Sequence, residues 1–476
     1  MDLARQNGGF LTLLKKRNFL RLWLAQLISM TIFNASNYAL LVLIETTTNS
    51  TTLIGIAIIC FSLPAVLFGA PAGVFVDHMN KRRVLWGSNL LRALATLVFI
   101  ISLLINNHLL LPIYLLTFLI SSIGQFFAPA EGSAIPLLVN AEELMPALSL
   151  FNVTFMLSQA LGYVLLAPIL LSFLPTLSIF GLAINSVAQL YGIIAILYVA
   201  CSLLILSIPQ ASFTQHSHKP SSTGDLTAQT LDVMGNVWHE MYQGWNFVRN
   251  NKSLFLAVMQ LSFAGILILV IGQIATPIVT HLLQLPATAM AFVFAPAGIG
   301  LITGSVLIPG ITRRLGSSRT IFSGTAALTL ATLLLPLLTL LTRSLQPHGW
   351  NTNPLLLVAI AFCMFVAGFA LDFINIPAQT AIQEHTPNWI KGRVLALQLV
   401  LYNACSIPII LFIGATSDLF GIDRVLYLMS LGEIVFGIWG VFYERKHAPP
   451  TPISRIEETQ DQTETDQIVQ KSSQSH

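Results

Sequence analysis

The sequence predicts an all-α membrane protein: twelve transmembrane helices in two six-helix bundles, with both termini cytoplasmic. Three observations carry this reading. The 476-residue chain is 55% hydrophobic and only 9% charged, whereas a soluble domain needs about 25% charged residues to face water. Apolar runs of roughly 20 residues, long enough to cross a bilayer, recur along the whole chain. The cations, finally, gather in alternate connections between those runs, as the positive-inside rule requires. The formal net charge of +3 is too small to point to nucleic acid. Cys60, Cys201, Cys363 and Cys405 fall inside apolar runs without metal-ligand spacing, so they read as small core residues.

Taken in order, the first run (19–44) follows the basic start "MDLARQNGGFLTLLKKRNFLRLW" and lacks a small-residue cleavage site, so it reads as a retained helix. Runs 52–77 and 83–105 flank the charged stretch "GVFVDHMNKRRVL" at 73–85. Run 109–138 is interrupted by Pro129 and Pro136, breaks that are tolerated where neighbouring helices or a cavity re-satisfy the backbone. Runs 145–173 and 182–208 complete the first half. The polar stretch 209–252 separates it from the second, and a second set follows at 254–282, 287–311, 320–342, 355–383 (broken by Pro377), 393–415 and 424–443. With the N-terminus inside, 20 of the 23 Lys and Arg residues lie in cytoplasmic segments; Arg92, Arg343 and Arg424 are the rest. Both termini are therefore expected inside a plasma membrane crossed many times.

The expected organisation is a first bundle at 1–208, a cytoplasmic linker at 209–252, a second bundle at 253–445 and a disordered tail at 446–476. The early linker is polar, and its His216 and His218 lack further ligands, so no metal is expected there. The later part, "VWHEMYQGWNFVRNN", places Val237, Met241, Trp245 and Val248 on one stripe of an amphipathic helix at the membrane surface.

The two halves echo each other. "PAEGSAI" (129–135) in the fourth run returns as "PAQTAI" (377–382) in the tenth, and the charged loop at 73–85 has a worn copy at 309–321, "PGITRRLGSSRTI". Six-helix repeats with a binding site at their interface are a transporter architecture. The loop at 73–85 resembles the Gly-x-x-x-Asp-x-x-x-Arg-Arg motif of the major facilitator superfamily, with Gly73, Asp77, Lys81 and Arg82 in register. "SNLLRALATL", "PAEGSAIPLLV", "GWNFVRNN" and "GRVLALQLVLYN" resemble its bacterial efflux branch, which includes macrolide and enterobactin exporters. Two departures stand out. Arg313 replaces the acid in the second-half loop, and the glycine-rich drug-antiporter motif of the fifth span is reduced to Gly162 and Pro168.

The resemblance implies the major facilitator fold and a role for Gly73, Asp77, Lys81 and Arg82 as a conformational latch. Cation anchoring alone explains the loop's basic residues but not Asp77. That acid would meet the start of the eleventh span, near Lys391 and Arg393, when the cavity faces outward. A helix N-terminus stabilises such a carboxylate by about 0.3–1 kcal/mol. The resemblance also implies a cavity lined by the first, fourth, seventh and tenth spans. On these lie Asn34, Asn37 and Tyr38, Gln125, Gln260 and Gln273, and Asn375 and Gln379, among Phe126, Phe127, Phe365 and Phe369. Amides beside aromatics suit a bulky amphipathic molecule, although each amide alone more often bonds a neighbouring helix.

Ionisable residues inside spans are functional candidates because they are costly there. Arg92 and Glu131 lie at similar depth, roughly 10–14 Å from the cytoplasmic end at 1.5 Å per residue, which would permit an ion pair of either coupling or structural role. Asp372 lies ~18 Å deep with no cation on its own span. An acid so placed suits proton coupling or a counter-charge for a cationic substrate, against the plainer role of a solvated cavity acid. Glu433 reads as structural. The expected function is proton-driven export of a bulky amphipathic small molecule by a monomer without cofactor. An importer or lipid flippase is the alternative. No Gly-x-x-x-x-Gly-Lys-Ser/Thr loop appears, no cluster of His, Asp or Cys suggests an intramembrane enzyme, and no repeated filter suggests a channel.

Overall fold

The computed structural model describes residues 12–105, 110–140, 143–175, 177–179, 182–213, 241–387 and 390–447. Among them are twelve helices long and apolar enough to cross a membrane. The first half contains α1 (Arg17–Thr48), α2 (Thr51–His78), α3 (Lys81–Ile105), α4 (Leu110–Leu138), α5 and α6 (Ser186–Leu206). Helix α5 is composite: Leu144–Ala160, a π-helical stretch Leu161–Leu166, then Ala167–Phe173. The second half contains α7 (Lys252–Pro277, ending in a π-helical turn Ile278–Leu282), α8 (Met290–Leu315), α9 (Ser317–Leu345), α10 (Pro354–His385), α11 (Lys391–Phe420) and α12 (Ile422–His447).

Local chemistry sets the ends. Side-chain oxygens of Ser50, Asn185, Asn251 and Asn353 accept backbone N–H groups at the starts of α2, α6, α7 and α10, using donors that a helix N-terminus leaves free. Gly316 (φ 85°) and Gly421 (φ 89°) make the one-residue turns into α9 and α12, a backbone that a side chain would strain. The expected sixth run began too early. Leu182–Ile184 is not helical but pairs with Leu177–Ile179 in a short antiparallel hairpin, and helix starts only after the Asn185 cap.

Helices α1–α6 pack mainly on one another, as do α7–α12. The tightest pairing, α8 with α10, is made by small residues. A Cβ on Gly300 would strike the Phe365 carbonyl, and one on Gly368 the Ala297 carbonyl. Backbone contact of this kind is how helices associate where water offers no driving force. In the α9–α12 pair, Glu433 is fully buried and accepts from Thr332 Oγ1 (3.0 Å), which also meets Ser430. This contact is internal to the second bundle and fits a structural role for the acid.

The helix at 241–250 covers the starts of α7 and α11. Val248 is buried and Met241 and Trp245 are half-buried, as the stripe predicts, and Trp245 meets Phe255 edge-on at 6.2 Å. Arg393 Nη1 donates to Gln243 Oε1 (2.7 Å). Val237, His216, His218, the early linker and residues 448–476 lie outside the described residues.

Candidate functional site

The connections bearing Lys81–Arg83, Arg313 and Arg314, and Lys391 share one end of the molecule, termed here the basic end; the opposite end is the far end. At the far end the two bundles share one continuous apolar core, running from Tyr38–Ile44 of α1 through Ile54 and Ile58 of α2 to Ile274–Leu283 of α7 and Ile410 of α11. Toward the basic end a separate core, including Phe19, Val76, Leu85, Phe127 and Phe151, belongs to the first bundle alone. The bundles are thus joined at one end and parted at the other.

Polar groups close the far end with specific geometry. Gln273 of α7 is fully buried, and its Nε2 donates to Thr51 O (3.1 Å) in one bundle and Ile410 O (2.9 Å) in the other. Glycines make the room. A Cβ on Gly55 would stand 2.6 Å from that amide nitrogen, and one on Gly414 would stand 2.7 Å from both the amide and Thr52 Cα. Asp418, in the last turn of α11, accepts Thr51 N (2.6 Å), Thr52 N (3.1 Å) and Ser50 Oγ (2.7 Å) at the start of α2. Thr51 Oγ1 and Ser417 Oγ stand 3.0 Å apart beside it. Glu45 of α1, only 1% exposed, accepts Thr280 Oγ1 (2.6 Å) and faces His281 Nε2 at 2.9 Å. Both partners sit in the π-helical turn that ends α7, where the wider turn re-aims side chains relative to an α-helix.

The residues expected to line a cavity divide in two. Asn34, Gln125 and Asn375 are half-buried and Gln379 is exposed, with Phe126, Phe365 and Phe369 also partly exposed. Asn37 and Tyr38 are buried, and Tyr38 meets Tyr163 of the α5 π-stretch edge-on at 6.4 Å. Asn34 packs its Cβ over Gly162, so the polar stripe of α1 faces α5. Two placements correct the sequence reading. Gln260 turns toward Gly440 of α12, and Gln273 spends its amide on the far-end seam. In this conformation neither lines a space between the bundles.

Arg92 is 2% exposed, but its guanidinium does not pair with Glu131 within 4 Å among the described ion pairs. Instead its Cζ lies over the rings of Phe33 (5.3 Å), Phe127 (5.7 Å) and Tyr198 (5.7 Å), and Nη1 donates to Ser29 Oγ (3.3 Å). Gly124 lies directly under this group: a Cβ there would meet Nη2 and displace the guanidinium. The expected ion pair is therefore replaced by an aromatic cage, and the buried Glu131 Oε1 has no hydrogen-bond partner. Asp372 is 7% exposed and lies against Gly304 of α8, whose missing side chain leaves space for its carboxylate.

Of the loop residues, Gly73 faces open space, Asp77 occupies the last turn of α2 with its side chain outside the described set, and Arg82 donates to Leu206 O. Nothing in the sequence reading singled out Glu45, His281 or Asp418. Each sits at a span end, where polar residues are ordinary. The usable signal was the run Ser50-Thr51-Thr52, a helix start with more donors than its own Ser50 cap can satisfy.

The family model described as Major Facilitator Superfamily matches residues 22–407. Macrolide efflux protein A of Streptococcus pyogenes is 26% identical over 251 residues, covering 51% of this chain and 54% of its own. The chain thus spans about half the length of that relative. Among solved structures, the nucleoside transporter NupG aligns with TM-score 0.64 at 12% identity over 89% of this chain and 98% of its own. A bacterial homologue of the iron transporter ferroportin aligns with TM-score 0.63 at 13% identity, over 90% and 99%. At such identity these two report the fold alone.

Proposed function

This chain belongs to the major facilitator superfamily, and from that premise we propose that it exports a bulky amphipathic small molecule across the plasma membrane, driven by protons. It is a multi-pass membrane transporter rather than an enzyme. The observation that carries the reading is the asymmetry of closure. The bundles are sealed at the far end by Gln273, Asp418 and Glu45, and parted toward the basic end. If the basic end is cytoplasmic, as the cation distribution supports, this state takes its load from the cytoplasm. The likeness to macrolide efflux protein A supports both the direction and the substrate class.

Half-buried amides beside Phe126, Phe365 and Phe369 offer apolar area with adaptable hydrogen bonds, which suits one large flexible ligand better than a sugar. Asp372, without a cation partner among the described ion pairs, is the proposed coupling acid, with the buried Glu131 and the caged Arg92 as further coupling candidates in the other bundle. Asp77 with Gly73, Lys81 and Arg82 is the proposed latch for the alternate state. The test is expression in a bacterium stripped of its own pumps. Raised inhibitory concentrations of macrolides, abolished by a protonophore, are expected. Raised intracellular macrolide would favour an importer, and altered leaflet distribution of labelled lipid without drug resistance would favour a flippase.

A further inference from the structure

A helix leaves its first N–H groups without intrahelical partners, and its own chain usually caps them. Helix α2 departs from this. Ser50 Oγ accepts only Leu53 N (3.3 Å), while the N–H groups of Thr51 and Thr52 both go to Asp418 of the opposite bundle. The same carboxylate takes the Ser50 hydroxyl, so three donors from one bundle converge on one acid of the other.

We propose that Asp418 is the latch that holds the far gate shut, by capping α2 in trans only while the bundles are closed at that end. The inference rests on the transporter reading for its purpose, but its geometry stands without any substrate. Ser50 already gives α2 a cap within its own bundle, so the cap from Asp418 is not needed for α2 to form. It is tied instead to one arrangement of the bundles. When α2 and α11 separate, the two N–H groups lose the carboxylate and turn to water, and Thr51 Oγ1 parts from Ser417.

Asp418 is exposed to solvent, so the contact draws its strength from its geometry. Its hydrogen bonds are charge-assisted, its acceptor lies at the positive end of a helix dipole, and the Gln273 bridge from Thr51 O to Ile410 O, about two turns along α11, holds the same seam. Helices α2 and α11 are also neighbours across the two bundles. The opposite end of α2 carries Asp77, and the opposite end of α11 begins at Lys391. Each helix therefore carries an acid in its last turn, and the far-end acid Asp418 is docked on the start of its neighbour. With Asp418 docked the far end closes, and the corresponding acid at the basic end belongs to the alternate state.

The experiment uses the full chain in lipid nanodiscs, without substrate or gradient. Spin labels at Ile105 of α3 and Leu345 of α9, both exposed far-end positions outside the gate, report the separation of the bundles. The parent should show mainly the short distance. Asp418→Asn removes the charge and one acceptor oxygen, and should shift the closed-to-open ratio about tenfold toward the long distance. Thr51→Pro is the second variant. Proline is favoured at a first helical position, and Ser50 already has the extended backbone (φ −118°, ψ 116°) that a following proline requires. It deletes one donor to Asp418 and the Thr51 hydroxyl's contact with Ser417 while keeping α2, so it should shift the ratio the same way, with Ser417→Ala giving the share of the hydroxyl contact alone. The double variant should fall short of the product, since both changes break one contact.

Unchanged distance distributions in both variants, with parental melting temperatures, would overturn the latch. If Asp418→Asn does not fold, Thr51→Pro alone decides. A failed latch leaves the export reading standing, and a wrong substrate class leaves these distances untouched.

Discussion

Gly414→Ala is expected to open the far gate without weakening the fold. The new methyl would stand 2.7 Å from Thr52 Cα, 2.7 Å from Gln273 Nε2 and 3.1 Å from Thr52 N. Ordinary carbon contacts need about 3.5–4.0 Å, so α2 must retreat by roughly an ångström. Two of the three clashing atoms are backbone, which no rotamer change can relieve. Overpacking of this size costs about 1–3 kcal/mol. The strain exists only while α2 lies against α11, and in the separated state alanine suits the helix better than glycine. At about 1.4 kcal/mol per decade, the closed-to-open ratio should fall by roughly 5- to 150-fold. The assay is the labelling rate of Ile410→Cys, fully buried at the seam, by a membrane-impermeant maleimide in a background without the four native cysteines. Gly432→Ala in α12 is the control, since a Cβ there meets nothing within 4 Å. A folded Gly414→Ala protein that labels at the parental rate would refute the reasoning.

Asp77→Asn should slow transport with little change in substrate affinity, because a latch shifts a conformational equilibrium rather than a binding site; uptake equal to the parent at every driving force would return Asp77 to simple anchoring. Asp372→Asn imitates the protonated acid, so substrate exchange should persist while pH-driven accumulation disappears, and undiminished accumulation would remove its coupling role. In a double-mutant cycle of Arg92→Leu and Glu131→Leu, the aromatic cage predicts coupling below about 1 kcal/mol; about 3 kcal/mol, typical of breaking a buried pair, would show that the two do pair. Glu143 forms an ion pair with Lys16 and also accepts Asn140 N, which holds its carboxyl below the usual carboxylate value of 4.5. A depressed folded-state value stabilises above the unfolded value and is lost as pH falls through the folded one. The melting-temperature gap between the parent and Lys16→Ala should therefore be present at pH 7 and close below about pH 4.

Most of the architecture was legible because bilayer thickness forces long apolar runs. What hydropathy cannot register is which face of a helix a residue occupies. Gln260 and Gln273 illustrate the point. They are thirteen residues apart, which at about 100° per residue places them some 220° around α7. They cannot share a cavity, and one faces α12 while the other crosses the seam to α2. Asp372 and Gln379, seven apart, do share a face by the same arithmetic. The start of α6 was misjudged because Leu182–Ile184 is as apolar as the helix that follows, and only the Asn185 cap marks the boundary. The π-helical turns of α5 and α7 leave no periodic trace in so uniformly apolar a sequence, yet one of them delivers Thr280 and His281 to Glu45. The far gate stayed hidden because it is assembled from span ends more than two hundred residues apart, as with Ser50 and Asp418.

The most direct test of the central claim is accumulation of a radiolabelled macrolide by inverted membrane vesicles containing the protein, with the pH gradient as the variable and no ATP present. With the basic end cytoplasmic, as proposed, the lumen of such vesicles corresponds to the far side. The account predicts saturable accumulation when the lumen is acidic, collapse on addition of a protonophore, and loss of the driven component in Asp372→Asn with exchange retained. Accumulation that ignores the gradient, or that requires an alkaline lumen, would contradict it.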